Sequence, residues 1–175
     1  MSTRDIVWAP DKVLKTKCTP VENIDDEIRQ ILDDMLETMY DAPGIGLAAP
    51  QVGLTKRLIV IDVAAKGEEP QPLKLVNPEI SWSSDELSTY EEGCLSLPGH
   101  YAEVTRPAEV KVRYLDESGE EREIAADGLL ATCLQHEIDH IDGILFIDHL
   151  SALKRNMILR KMTKAKKQRA EDKAA

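Results

Sequence analysis

Cysteine is scarce in this chain. Cys18, Cys94 and Cys133 are the three in 175 residues, and an odd count without an export signal argues against a disulfide framework. The thiols therefore read as core fillers, reactive groups or metal ligands. Long apolar runs are missing too. The longest aliphatic stretches, Leu58–Ile61 and Ile144–Ile147, are four residues each, against the ~18 of a spanning helix, so no membrane partner is expected. Met1-Ser2-Thr3-Arg4-Asp5 is followed by no apolar signal core, and acids stand at Asp5 and Asp11. Neither a secretory nor a transit peptide is expected, and the expected location is the cytoplasm. There is no internal repeat, and no low-complexity segment except the lysine-rich end.

What is present is ordinary in amount: 42% hydrophobic and 31% charged residues. That apolar content excludes disorder of the whole chain, and the length suits one domain with one main core. The net charge of −10 is unevenly spread. Lys154–Lys173 holds nine basic and two acidic residues, leaving 13 basic and 30 acidic elsewhere, or +7 against −17. Such a split suggests an acidic body with a basic tail that meets a polyanion, or else a solvated helix face.

The pattern along the chain predicts an α+β protein, with mainly antiparallel sheets around a central helix. A short helix is expected over Lys12–Lys17. Ile28, Ile31, Leu32, Met35, Leu36 and Met39 share one face of a helix over Asp25–Asp41, closed by Pro43-Gly44. Strands are expected over Arg57–Val63, Leu73–Ile80 and Glu86–Glu91. A hairpin joins Glu109–Leu115 to Glu120–Ala125. A second helix over Leu129–Ile141 is apolar around much of its circumference, so it is buried and carries His136 and His140 inside. Ser151 caps a last helix expected to reach about Gln168. Residues 1–150 read as the catalytic part and 151–175 as a basic helix of the same domain.

The sharpest chemical signal is His136-Glu137-Ile138-Asp139-His140. Two histidines at i, i+4 stand on one helix face and can share a metal, with the intervening glutamate near the open coordination position. A catalytic metal needs a third protein ligand. Phe146 occupies the place where an extended HExxHxxGxxH motif has its third histidine, which rules that motif out. Cys18, Cys94, Cys133, His100 and several acids remain. Cys133 lies seven residues from His140 on one helix, about 10 Å of rise, too far for both to ligate one metal. Cys94 follows a strand and Gly93, a setting in which sites are often built. A third segment, Gly44-Ile45-Gly46-Leu47-Ala48-Ala49-Pro50-Gln51, offers a thin wall of small residues ending in a side-chain amide that can donate to an oxyanion.

Together, GIGLAAPQ at 44–51, EGCLS at 92–96 and QHEIDH at 135–140 resemble the three signature motifs of the peptide deformylases, in the same order and at similar separations. The resemblance takes in most of residues 5–150. It implies that Cys94, His136 and His140 ligate one divalent metal, Fe²⁺ natively, with Zn²⁺, Ni²⁺ or Co²⁺ able to replace it. Glu137 is then the general acid/base, and Gln51 with the Leu95 N–H forms the oxyanion hole. The methionine pocket is expected near Ile45, Tyr90, Leu129 and Cys133. The peptide backbone is expected to pair with Gly46 and with the strand of Glu91, Glu92 and Gly93. The implied activity is removal of the formyl group from formyl-methionine of new polypeptides. A monomer is expected, and the charge split suggests that the basic tail meets the ribosome. Two rival readings are an HExxH metallopeptidase and a non-catalytic metal module that binds RNA.

Overall fold

The computed structural model describes residues 2–174. Helix α1 spans Asp26–Asp41. Asp25 caps it, its carboxylate accepting from the Ile28 amide at 3.0 Å. Strands β1 (Gly46–Ala48), β2 (Leu58–Ile61) and β3 (Leu73–Ser83) follow, then β4 (Leu87–Gly93), β5 (Tyr101–Pro107), β6 (Val110–Leu115) and β7 (Glu121–Ala126). Helix α2 covers Gly128–Ile141 and α3 covers Ala152–Ala174. Short 3₁₀ turns lie at Lys12–Lys15, Ala49–Val52 and Phe146–His149.

Two antiparallel sheets result: five strands in the order β1-β2-β3-β6-β7, and a separate β4-β5 pair. Strand β2 explains the layering. Its four residues, Leu-Ile-Val-Ile, are all fully buried, as a strand covered on both faces must be. Leu58 and Val60 face α1, together with Leu47 and Val76. Ile59 and Ile61 point the other way, onto Ala131, Leu134 and Ile138 of α2. Helix α2 thus sits between the sheet and the β4-β5 pair. A third cluster, around Leu14, Leu97, Val104 and Phe146, anchors α3 through Met162, the helix's one fully buried residue among those described.

The α+β expectation holds, and α1, α2, β2, β3, β4, β6 and β7 lie where the pattern put them to within a few residues. Two strands had not been expected. Strand β1 is three residues of the small-residue wall, too short to show a period. Strand β5 carries Arg106 in phase with Ala102 and Val104, and an inward charge disguises the alternation. Helix α3 runs to Ala174, beyond Gln168. Its basic end is not detached: Lys166 pairs with Asp11 at 3.1 Å, and Arg169 donates to the Ile6 carbonyl at 2.9 Å.

Candidate active site

Helix α2 brings His136, Glu137 and His140 inside together, 8%, 4% and 0% exposed. The helix opens at Asp127-Gly128 and is closed by Gly143, whose φ is +78° and whose Cβ position lies 2.7 Å from the Lys15 carbonyl oxygen. Only glycine fits there. Cys94 arrives from the end of β4. One ligand atom from each of Cys94, His136 and His140 falls within 4.8 Å of the others, and Cys94 Sγ lies 3.3 Å from His140 Nε2. Metal–N bonds near 2.1 Å and metal–S bonds near 2.3 Å put tetrahedral ligand atoms roughly 3.3–3.8 Å apart, so the trio fits one ion. The described residues offer three such ligands and not a fourth.

The atoms around this trio are held in place. Gln51 Oε1 accepts from the Ala48 amide at 2.9 Å, which turns its NH₂ toward Ser96 Oγ at 3.1 Å and Cys94 Sγ at 3.4 Å. The Ser96 amide also donates to Cys94 Sγ, at 3.4 Å. Leu95 lies in the turn between Cys94 and Ser96, and its N–H has no partner among the described residues. Glu137 Oε2 stands 4.0 Å from His136 Nε2, and its Oε1 is buried without a partner among the described residues. Burial pushes the Glu137 carboxyl up to about 7, in the range a proton shuttle needs. The two histidines diverge. Burial opposes charge on His136, but the Glu137 charge and the hydrogen bonds that His136 donates to Cys94 and Glu92 raise it well above the usual value. Burial and the charge of His136 lower His140.

Behind His136 stands a buried polar network that sequence reasoning missed. His136 Nδ1 meets Glu92 Oε1 at 2.9 Å. Arg106 donates to both Glu92 oxygens, at 2.7 and 3.0 Å, and to Asp139 at 2.8 Å. Asp139 also meets His149 at 2.8 Å. Burial alone would raise the Glu92 carboxyl, yet the hydrogen bonds of His136 and Arg106 hold it below the ordinary range. Glu92, expected to meet the substrate as part of the 91–93 strand, lines the cavity over the trio, and its carboxylate is engaged by Arg106 and His136. The signal that could have exposed Arg106 is its phase with the apolar residues of β5.

A cavity of about 850 Å³ opens over the trio. Gln51, Cys94, Leu95, His136 and Glu137 line it, while His140 lies behind them. Ile45, Tyr90 and Leu129, each about 40% exposed, also line it, and Cys133 closes its floor. Cys133 is not among the metal-site atoms. Its Sγ lies 3.7 Å from the Ile45 carbonyl, and burial drives its thiol pKa well up. The two glycines of the expected wall do serve close approach, though to side chains of the protein. A Cβ at Gly44 would stand 2.7 Å from Leu95 Cδ1, and one at Gly46 2.5 Å from Glu137 Oε2. The wall also includes residues outside the motifs, Thr3–Ile6 and Trp8 near the N-terminus and Arg169 of α3.

Comparison with known proteins bears on this arrangement directly. The polypeptide deformylase family model matches residues 3–156. A peptide deformylase of Rhizobium meliloti is 59% identical over 169 residues, 97% of each chain. One from Brucella suis is 57% identical over 173 residues, 99% of each. The crystal structure of peptide deformylase from Ehrlichia chaffeensis superposes with a TM-score of 0.91 at 41% identity, covering 97% of this chain and 99% of that one. The three motifs, the ligand trio they bring together and the whole-length match lead to one assignment: the chain belongs to the polypeptide deformylase family.

Proposed function

We propose that the chain hydrolyses the N-terminal formamide of formyl-methionine on newly made polypeptides and releases formate, with one divalent ion held by Cys94, His136 and His140. The observation that carries this reading is the gathering of one thiol and two imidazoles within 4.8 Å beneath a cavity of about 850 Å³. Fe²⁺ is the ion we assign. Imidazole and thiolate together also suit Zn²⁺, with Ni²⁺ and Co²⁺ as further substitutes. When bound, such an ion supplies Lewis acidity and lowers the pKa of water.

The chain's own groups supply the rest. Glu137 takes the proton of the attacking water and returns it to the leaving amine nitrogen, so water and formamide become formate and a free amino terminus. Gln51 Nε2 and the Leu95 N–H donate to the formyl oxygen as it gathers charge, each worth about 3–4 kcal/mol when aligned. Ile45, Tyr90, Leu129 and Cys133 form the methionine pocket, and Gly46 with Glu91–Gly93 receives the peptide backbone. The scheme calls on no group from a second chain, and a monomer is the state we propose. A cytoplasmic location is part of this reading, since the substrate is a newly made formylated chain. The rival peptidase reading is disfavoured by the thiol ligand, and the non-catalytic reading by the absence of a fourth ligand among the described residues. Anaerobic purification with metal analysis, followed by a formate-release assay on a formyl-Met peptide, tests the proposal. One tightly held metal per chain and formate release are expected. A loaded protein that releases no formate would overturn it.

The basic face of α3 supports contact with ribosomal RNA beside the emerging chain. Lys164 and Lys167 are exposed. Changing both to glutamate should weaken co-sedimentation with ribosomes and flatten its salt dependence, because fewer counterions are released. Equal pelleting of both proteins at two salt concentrations would limit α3 to a solvated helix.

A further inference from the structure

The substrate cleft is walled partly by residues from the two ends of the chain, and these residues carry a free charge. Arg169 of α3 lies with its guanidinium carbon 4.1 Å from the centre of the Trp8 ring, a stacked cation–π arrangement. Its Nη1 donates to the Ile6 carbonyl at 2.9 Å. The same N-terminal segment is tied to Gln51 and to the turn after Cys94: the Val7 amide donates to the Gln51 carbonyl at 2.7 Å, and the Ala9 amide to the Ser96 carbonyl at 2.9 Å. Trp8 and Arg169 both line the cavity that holds Cys94, His136 and Glu137.

Arg4 and Arg169 are the two bases on that wall. Arg4 is committed, since its guanidinium is bound to Asp34 at 3.1 Å. Arg169 is half-buried and has no carboxylate within 4 Å among the described residues. One edge of its guanidinium is tied to Ile6, and its plane is fixed on Trp8. Its remaining N–H groups are left for a ligand, pre-oriented in a planar fork that suits a carboxylate.

We propose that Arg169, held by Trp8, is a specificity-determining residue that binds an acidic side chain carried by the substrate within a few residues after the formyl-methionine. The inference rests on the deformylase reading, because the formyl group must sit at the metal trio for the following residues to run along the cleft toward this wall. It also makes the basic end of α3 part of the cleft, not only a surface for polyanions.

The test uses full-length, metal-loaded protein and formyl-Met tetrapeptide amides with Asp, Asn or Lys placed in turn at positions two, three and four. Formate release gives KM and kcat for each. The wild type should show KM about tenfold lower for Asp than for Lys at one of these positions, the scale of one charge-assisted hydrogen bond. Arg169→Gln should bring that ratio near one. Arg169→Lys should retain part of it, since it keeps the charge and loses the fork. A thermal melt of each variant checks the fold, and a purely structural role would raise KM for all peptides together while leaving the ratio intact. Ratios within twofold at every position in the wild type, or a ratio unchanged in Arg169→Gln, would overturn the inference while formate release from the Asn peptides leaves the deformylase reading standing. No formate from any peptide would bring down both.

Discussion

Cys133 lies on the histidine-bearing helix and Cys94 packs against it, yet only Cys94 brings its sulfur within 4.8 Å of the two histidine ligand atoms. Cys94→Ala should therefore lose most of the bound metal, and Cys133→Ala should keep it, as measured by metal analysis after desalting. Metal loss in Cys133→Ala alone would contradict the assignment. Glu137 is adjacent to one ligand without being one. Glu137→Ala should keep both metal and fold but lose formate release by at least ~10²-fold, read by single-turnover assay alongside metal content. Gly46 presents a third case. A methyl group there would stand 2.5 Å from Glu137 Oε2 and 2.9 Å from Cys133 Sγ. Gly46→Ala should displace the glutamate and lower kcat by about 10²-fold, the cost of misplacing a catalytic group by an ångström.

Between elements, the Arg106–Glu92 pair ties β5 to β4, and its further bonds to His136 and Asp139 tie both strands to α2. Arg106 and Glu92 are 6% and 5% exposed. Removing one partner from such a pair leaves an uncompensated buried charge, so Arg106→Ala should lose about 3–5 kcal/mol of stability in urea titrations. Glu92→Gln keeps the shape but no longer offers a carboxylate to His136 Nδ1. Its metal affinity should fall by about 10–100-fold, the usual effect of removing a partner behind a metal-binding histidine, as measured by competition with a chelator.

At the scale of the molecule, the chain's beginning is clasped to α1 through Asp34. This carboxylate accepts from the Ser2 amide at 2.9 Å, from Gln30 at 2.9 Å, and from Arg4 at 3.1 and 3.2 Å. Burial alone would raise its pKa, but these donors together hold it below the ordinary aspartate value. A carboxyl with a lowered folded pKa contributes stability that is fully present above its unfolded value of about 3.9 and is lost as pH falls through the folded one. Asp34→Asn should thus be less stable than wild type by about 1–3 kcal/mol at pH 7, with the same gap at pH 5. The gap should narrow below pH ~4 as the wild-type carboxyl protonates. Urea titrations at pH 7, 5 and 3 check this, and a gap independent of pH would remove Asp34 from the acid response. The segment that Asp34 holds is the one that lines the cleft with Arg4, Ile6 and Trp8.

Much of this protein follows from local pattern. The period of α1 and α2, the alternation of β6 and β7, and the HExxH spacing need only neighbouring residues, because side chains at i, i+4 meet on a helix and at i, i+2 on a strand. The two histidines and Glu137 are therefore legible from five consecutive residues, and the three motifs together carried the family and its reaction. Cys94 could be favoured by its setting, but its meeting with His140, 46 residues away, exists only once β4 is packed against α2. The same holds for Glu92, whose carboxylate is engaged by a histidine and an arginine, and for Arg106, an inward charge that disguises the alternation of β5. The basic end of α3 shows the limit most plainly. Its composition spoke of a surface charge, whereas folding brings Arg169, 163 positions from Ile6, onto the wall of the active-site cleft. Sequence determined what each segment could form. Long-range packing decided which groups share a cavity, because a buried charge is tolerated only beside partners that distant segments supply.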